Sequence, residues 1–176
     1  MIDPEKWKKC VEFHGHECGG LTIGYKAAEY AAKLLDLNFS NNEDVVCIAE
    51  NDACGIDAIQ VLLGCSVGKG NLLFHLTGKQ AFSFYDRLTK KSVRLVLKPR
   101  PQGMTRAEAF PYYQQQEPEE MFEVKNTTIP LPVHARLFRN IVCESCGEDT
   151  AESFIRIENG KHLCPDCIKK YNRFDV

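Results

Sequence analysis

The first forty residues carry apolar side chains at helical spacing. Trp7, Cys10 and Val11 share one face of a first helix, which the sequence predicts to end near Gly15. A stripe of small and apolar residues then predicts a second helix over residues 21–37. Because many residues of this stripe are glycine or alanine, we expect the second helix to approach a sheet or another helix closely. The N-terminal part of the chain is therefore predicted to be a helical scaffold.

The middle of the chain changes to short apolar runs that are typical of β-strands. These runs cover residues 45–49, 72–76, 80–85, 92–97 and 121–127. Short polar turns separate the three central runs, and this arrangement predicts an antiparallel meander. A helix is predicted over residues 105–116, with a break at Pro111 because proline lacks an amide N–H and clashes with the preceding turn.

Composition narrows the class of protein. Of 176 residues, 44% are hydrophobic and 26% are charged, which is typical of a globular chain with a buried core. No apolar run reaches the roughly 20 residues of a membrane-spanning helix, and the N-terminus lacks the features of a signal peptide. A formal net charge of -2 gives no global attraction to nucleic acid or anionic lipid. We therefore expect a cytoplasmic protein with no membrane partner.

The nine cysteines favour metal binding, because disulfides are rare in the cytoplasm. Two C-x2-C pairs lie 17 residues apart and consist of Cys143, Cys146, Cys164 and Cys167. This spacing is typical of a four-cysteine zinc site. Between the pairs, Asn159 and Gly160 predict a hairpin turn, and Pro165 is predicted to open a helix that reaches Tyr171. Knuckle, hairpin and helix in this order predict a treble-clef finger with a structural zinc.

A second group of metal donors lies at residues 13–20, which read FHGHECGG. Imidazole nitrogen and thiolate sulfur bind zinc and similar metals, and they also serve as acid, base or nucleophile. Taken alone, His14 is more typical of the last core residue of the first helix. His14 and Cys18 share a face if that helix continues through Gly15, whereas a turn there brings His16 and Cys18 together. Both geometries predict a cluster.

A third informative stretch begins where the strand at 45–49 ends. Cys54 lies at the predicted start of a helix, where the helix dipole is expected to lower the pKa of its thiol. Asp57, one turn later, either caps the helix, orients an imidazole, carries a proton or only balances the first turn. Cys65 marks the end of this helix. Lys69 lies at the tip of a glycine-flanked turn, which is either a simple helix exit or an anion-binding turn.

Several of these motifs, in the same order, resemble the FmdE family, which is named after formylmethanofuran dehydrogenase. They are FHGHECGG at 13–20, Gly24, Cys54, DAIQ at 57–60, GC at 64–65 and GKGNL at 68–72. The resemblance covers roughly residues 1–130 and implies an α+β core, a dimer and, in some members, a C-terminal zinc finger. The chain departs from the family at Gly19, where proline is common.

The resemblance also implies a site. Carried over to this sequence, it comprises His14, His16, Cys18, Cys54, Asp57 and Cys65, with Lys69 at the rim as a cofactor-binding residue. We predict that His16, Cys18 and Cys54 hold a second divalent metal and leave one position open to water or substrate. His14 or Asp57 would orient a ligand or move a proton.

These inferences combine into one predicted architecture. The fold class is α+β, with N-terminal helices packed on a mixed or antiparallel sheet and a small C-terminal treble-clef zinc finger. The predicted boundaries are an FmdE-like core at 1–130, a linker at 131–140 and the finger at 141–176.

Three functions stay open at this point. The first is an accessory or catalytic metalloprotein of one-carbon metabolism, which acts on a small molecule and associates with an oxidoreductase complex. The second is a regulatory or nucleic-acid-binding module. The basic residues of the finger suggest it, but so few basic residues are more typical of a solvated surface. The third is a structural protein whose finger clips a homodimer or a larger complex. A titration of binding against salt separates the first two, because phosphate contacts weaken as salt rises.

Overall fold

The first helix, α1 (Pro4–His14), begins and ends where local chemistry requires it. The carboxylate of Asp3 accepts hydrogen bonds from the amides of Glu5 and Lys6 at 2.9 and 3.1 Å. Gly15 ends the helix with φ of 93°, a conformation that glycine adopts at little cost. The chain therefore turns sharply at Gly15.

This description refers to a computed structural model and covers residues 2–132, 137–169 and 173–174, without the side chain of Arg106. Two compact units are present, Met1–Val133 and His134–Val176, and each is described by itself. No helix among the described residues combines the length and the apolar character that crossing a bilayer requires.

Two further helices, α2 (Gly19–Leu35) and α3 (Gly55–Leu63), cross at a pair of glycines. A Cβ added to Gly24 would clash with the backbone of Gly55, so the two helices touch through their main chains. The small-residue stripe of the sequence is thus used for helix–helix contact. This contact brings the first turn of α3 against the first turns of α2.

Five strands form one mixed sheet. They are β1 (Val45–Ala49), β2 (Leu72–Phe74), β3 (Ala81–Asp86), β4 (Ser92–Leu97) and β5 (Phe122–Lys125), in the order β2-β1-β3-β4-β5. Strands β3, β4 and β5 pair antiparallel in sequence order. The expectation of a meander that includes β2 is wrong, because β2 pairs in parallel with β1 and α3 connects the two. The predicted α+β class with a mixed sheet is confirmed.

The main core lies between the helices and one face of this sheet. Phe82, Phe84 and Leu95 are fully buried there beside Ala27 and Ile59 of the helices. Two more helices, α4 (Arg106–Gln115) and the short α5 (Pro118–Met121), pack against α2 and close the edge of this layer.

The predicted break in α4 is wrong. The helix continues through Pro111 to Gln115, and a capping box between Thr105 and Glu108 fixes its start. Of the predicted linker, Leu131 packs on the second face of the sheet, and the carbonyl of Pro132 accepts a hydrogen bond from Arg87. Residues 133–136 lie outside the described part of the chain.

The C-terminal unit contains two antiparallel hairpins, and its cysteine cluster fits a zinc finger. Strands β6 (Asn140–Val142) and β7 (Asp149–Ala151) form one, and β8 (Arg156–Glu158) and β9 (Lys161–Leu163) form the other. Asn159 and Gly160 both have positive φ, as a type I′ turn requires. Of the predicted helix from Pro165, residues 165–168 form turns and a bend instead, and residues 170–172 lie outside the description.

Candidate metal centre

The turn at Gly15 decides between the two geometries that the sequence left open. It ends α1 at His14 and carries the chain back so that Cys18 becomes the N-cap of α2. The Cys18 sulfur accepts a hydrogen bond from the amide of Leu21 at 3.3 Å. The same sulfur also lies 3.8 Å from His14 Nε2. The expectation that His14 reaches Cys18 only if the helix continues through Gly15 is therefore wrong, because the turn brings both histidines to this thiol.

Three potential ligands meet at this turn. One donor atom from each of His14, His16 and Cys18 lies within 4.8 Å of the other two. The rings of His14 and His16 have centroids 4.5 Å apart. His16 is exposed, whereas His14 and Cys18 are half-buried. Two imidazoles and one thiol at this spacing fit a transition metal with a coordination position left open toward solvent.

Helix α3 supplies the residue that orients His14. The Asp57 carboxylate lies 2.7 Å from His14 Nδ1, and its other oxygen accepts a hydrogen bond from Gln60 at 3.1 Å. With Nδ1 engaged by Asp57, Nε2 is the nitrogen that faces Cys18. Metal-bound histidines commonly donate their second ring N–H to a carboxylate in this way.

Cys54 joins the site from the start of α3. Its thiol interacts with that of Cys18, but it does not belong to the group of three donors that lie within 4.8 Å of one another. The sequence predicted a lowered pKa for Cys54. Burial and then the neighbouring Cys18 instead raise the pKa of this thiol above its usual value.

Gly20 keeps the space beside the two thiols open. A Cβ at this position would lie 3.0 Å from the Cβ of Cys54 and 3.5 and 3.8 Å from the sulfurs of Cys54 and Cys18. Any larger residue would therefore occupy the approach to both sulfurs. This open approach explains the glycine at position 20, whereas a Cβ at Gly19 would meet α4 only at ordinary contact distances of 3.5–3.6 Å.

Two clefts adjoin this cluster, and Cys54 lines both. The thiol cleft, about 500 Å³, is lined by Cys18, Gly20, Cys54, Lys98, Arg100 and Tyr113 among others. The histidine cleft, about 450 Å³, is lined by His14, Asp57, Gln60 and Phe74 among others. Both volumes fall in the range of small-molecule sites.

A buried ion pair holds the loop that precedes Cys54. Glu50, at the end of β1, receives two hydrogen bonds from Arg94 at 2.6 and 3.0 Å and a third from Thr77. The Arg94 guanidinium holds the pKa of the Glu50 carboxyl below its usual value. The start of the loop to α3 is therefore anchored to β4.

Two residues of the sequence-based site lie elsewhere. Cys65 is fully buried, and its sulfur lies 3.6 Å from the carbonyl oxygen of Val45. Burial raises the pKa of Cys65 to about 12, so this thiol stays protonated and behaves as a core residue. Lys69 donates to the carbonyls of Ser40 and Asn42, at 2.9 and 3.3 Å, and so fixes the loop before β1.

No sequence pattern predicts the residues that form the far wall of the thiol cleft. Lys98, Arg100 and Tyr113 come from the end of β4 and from α4, about 80 residues or more after Cys18. The run around Arg100 indicates only that the sheet ends there. The position of these residues depends on the order of strands in the sheet, which no local pattern specifies.

The finger contains a separate four-thiol group. Donor atoms of Cys143, Cys146, Cys164 and Cys167 all lie within 4.8 Å of one another. Amides of Cys146, Cys164 and Ser145 donate to the Cys143 sulfur and lower its pKa to about 6. Four thiols in a closed set are suited to a structural metal site.

The core of this chain matches a known protein family. The family model described as "FmdE, Molybdenum formylmethanofuran dehydrogenase operon" matches residues 13–142, which include the histidine motif, Cys54 and Asp57. The chain belongs to the FmdE family. The resemblance seen in the sequence is thereby confirmed, and the metal-donor cluster lies within the part of the chain that matches this family.

Two individual proteins are also similar. A solved protein from Syntrophus aciditrophicus, described as similar to the FmdE component of a tungsten formylmethanofuran dehydrogenase, has a TM-score of 0.71 and 25% identity, over 93% of this chain and 90% of that one. A "Probable S-adenosyl-L-methionine-binding protein" from Archaeoglobus fulgidus is 27% identical over 195 residues, covering 93% of this chain. The chain spans about half (52%) of that relative's length.

Proposed function

We propose that this FmdE family member is an accessory or catalytic metalloprotein of one-carbon metabolism. Its core domain would hold a divalent metal, and its finger a structural zinc. The observation that carries the proposal is the group of His14, His16 and Cys18, with Asp57 on the second nitrogen of His14. Family membership and the two adjoining clefts support a small-molecule ligand.

In this proposal the ligands are His14 through Nε2, His16 and Cys18. The sequence-based set contained Cys54 in place of His14. The geometry favours His14, because Asp57 already engages its other nitrogen and its donor atom lies in the compact group. Cys54 is the remaining donor, next to Cys18 and facing both clefts.

A metal in this position would act as a Lewis acid toward a bound ligand or water. Asp57 would keep the His14 ring oriented and stabilise the positive charge of the metal next to it. His16, exposed and next to His14, would hold the metal on the side that faces solvent. Gly20 would leave room for a ligand atom to reach the two thiols.

The finger and the partners belong to the same proposal. A structural zinc at the four cysteines would hold the two hairpins together, because the described part of this unit buries few apolar side chains. Family membership supports assembly as a homodimer or with the other components of an oxidoreductase complex.

Metal content measured by mass spectrometry on the full chain tests this function. We expect about two equivalents in the zinc-reconstituted wild-type protein and about one in each of Cys18→Ser and Cys146→Ser. A Cys65→Ala variant is the control and should keep both metals. If wild-type protein holds one equivalent and Cys18→Ser does not change it, the core metal site does not exist.

A second candidate function is binding of S-adenosyl-L-methionine, which the printed name of the archaeal relative suggests. Similarity over 93% of this chain supports it. The thiol cleft disfavours it, because none of its described lining residues is acidic and nothing there offsets a sulfonium charge. The histidine cleft fits such a charge better, because Asp52 and Asp57 line it. Calorimetric titration of the metal-loaded protein with S-adenosyl-L-methionine tests whether the protein binds this compound.

A further inference from the structure

We propose that the thiol cleft binds a small organic acid with an apolar body, whose acidic group contacts Lys98 and Arg100. The opposite end of the ligand would face Cys18 and Cys54. This inference rests on the proposed function only in placing a metal at the thiol end of the cleft. The charge pattern of the cleft is an independent observation.

Two cationic side chains mark one end of the cleft, and none of the described residues that line the cleft is acidic. Lys98 also lies close enough to Glu123, outside the cleft lining, for its charge to act on that carboxylate. Lys98 and Arg100 follow β4, and both side chains are exposed. Lys98 donates to the carbonyl oxygen of Glu119 at 3.1 Å, which positions its ammonium group. No ion pair of Arg100 occurs within the described residues. Two cations so placed attract an anionic group and repel a cationic one.

The wall between the two ends is mostly apolar. Ile23, Leu97 and Ala109 line it together with Tyr113 of α4. Arg100 lies close enough to Tyr113 for its charge to oppose the rise that burial causes in the pKa of that phenol. An aromatic surface next to a guanidinium favours a flat ligand that carries an acidic group at its edge.

Size and polarity together define the ligand class. The cleft of about 500 Å³ holds a molecule of one or two fused rings, and Gln80 offers one amide for a polar substituent. The acidic group can be a carboxylate or a phosphate ester, because both accept hydrogen bonds from arginine. A neutral ligand of the same shape would lose the contact with the cations.

Calorimetric titration of the full, zinc-loaded protein tests this inference with matched probes. The probes are 2-naphthoate and 2-naphthyl phosphate, and their neutral counterpart is 2-naphthalenemethanol. We expect at least one acid to bind about tenfold more tightly than the alcohol. Arg100→Gln should weaken binding of that acid about fivefold, whereas Arg100→Lys should retain most of it. Lys9→Gln, at an exposed lysine of α1, should leave binding unchanged.

Each contrary result has a distinct meaning. Equal affinity for the acids and the alcohol would overturn the inference. So would an affinity that Arg100→Gln does not change, because the acid would then be bound by the metal alone. Metal content is measured on the same samples. Zinc-loaded protein that holds no metal at the core site but still binds the acid would contradict the proposed function and leave this inference standing.

Discussion

At the scale of single residues, the contact between Asp57 and His14 decides which nitrogen of His14 faces the other donors. An imidazole has two nitrogens, and only one can face a metal. The 2.7 Å contact of Asp57 with Nδ1 leaves Nε2 for the side of Cys18 and His16. A partly buried carboxylate in this role stabilises both the orientation of the ring and the positive charge near it.

Asp57→Asn is expected to weaken metal binding at the core site roughly 10- to 100-fold, because it removes the charge but keeps the shape. Competition with a chromophoric chelator measures this affinity. Asp52→Asn is the matched control, since Asp52 is exposed and lines the same cleft. Equal affinities for the two variants would show that Asp57 does not support a metal ligand.

Residues near each other in sequence were the easiest to group, and motif order also pointed to Cys54 and Asp57, which lie beside them. His14, His16 and Cys18 lie within five positions, so any turn at Gly15 was bound to bring them close. Cys65 and Lys69 were grouped with them by motif order. The order of motifs along the chain does not specify where a side chain points. Cys65 points into the core, and Lys69 points toward the loop before β1.

At the scale of elements, the crossing of α2 and α3 assembles the site. The two helices meet through Gly24 and Gly55, which leaves no room for a side chain between their backbones. Cys18 is the N-cap of α2 and Cys54 that of α3, so the crossing fixes the position of each thiol relative to the other. The distance between the first and second motifs is thus set by two residues without side chains.

Gly24→Ala is expected to destabilise the protein by about 3 kcal/mol, because the added methyl group must push two helix backbones apart. The free energy of unfolding in urea, under reducing conditions, measures this cost. Gly68→Ala is the control, because a Cβ there meets no atom within 4 Å. Similar stabilities of the two variants would mean that the helices adjust freely, and the crossing could not then position the thiols.

Element types were easier to predict than element neighbours. The apolar runs identified each strand of the sheet, because they reflect burial against the helices. The pairing of β2 with β1 was missed, since parallel pairing depends on how α3 crosses the sheet. The far wall of the thiol cleft was missed for the same reason. Lys98 and Arg100 reach the cleft of Cys54 only through the order of strands in the sheet.

At the scale of the whole molecule, the two donor groups differ in what they leave free. The core group offers three donors, one of them exposed, beside two clefts. The finger group offers four thiols in a closed set. An open set suits a metal that meets a ligand, and a closed set suits a metal that holds a fold. The two groups should therefore respond differently to loss of their metals.

Loss of the finger metal is expected to unfold the finger and leave the core intact. The apolar cluster of the finger includes only Leu163 and Ile168 besides cysteines among the described residues, so little else holds its hairpins once the thiols are released. Hydrogen exchange on the full chain measures this directly. In Cys146→Ser, amides of residues 141–167 should lose protection, whereas those of β1, β3 and β4 should keep it. Asp166→Asn is the control, because Asp166 is exposed and lies between two of the cysteines. This variant should keep the protection of the finger amides and of the core strands. Protected finger amides after metal loss would mean that side-chain packing, and not the metal, stabilises this unit.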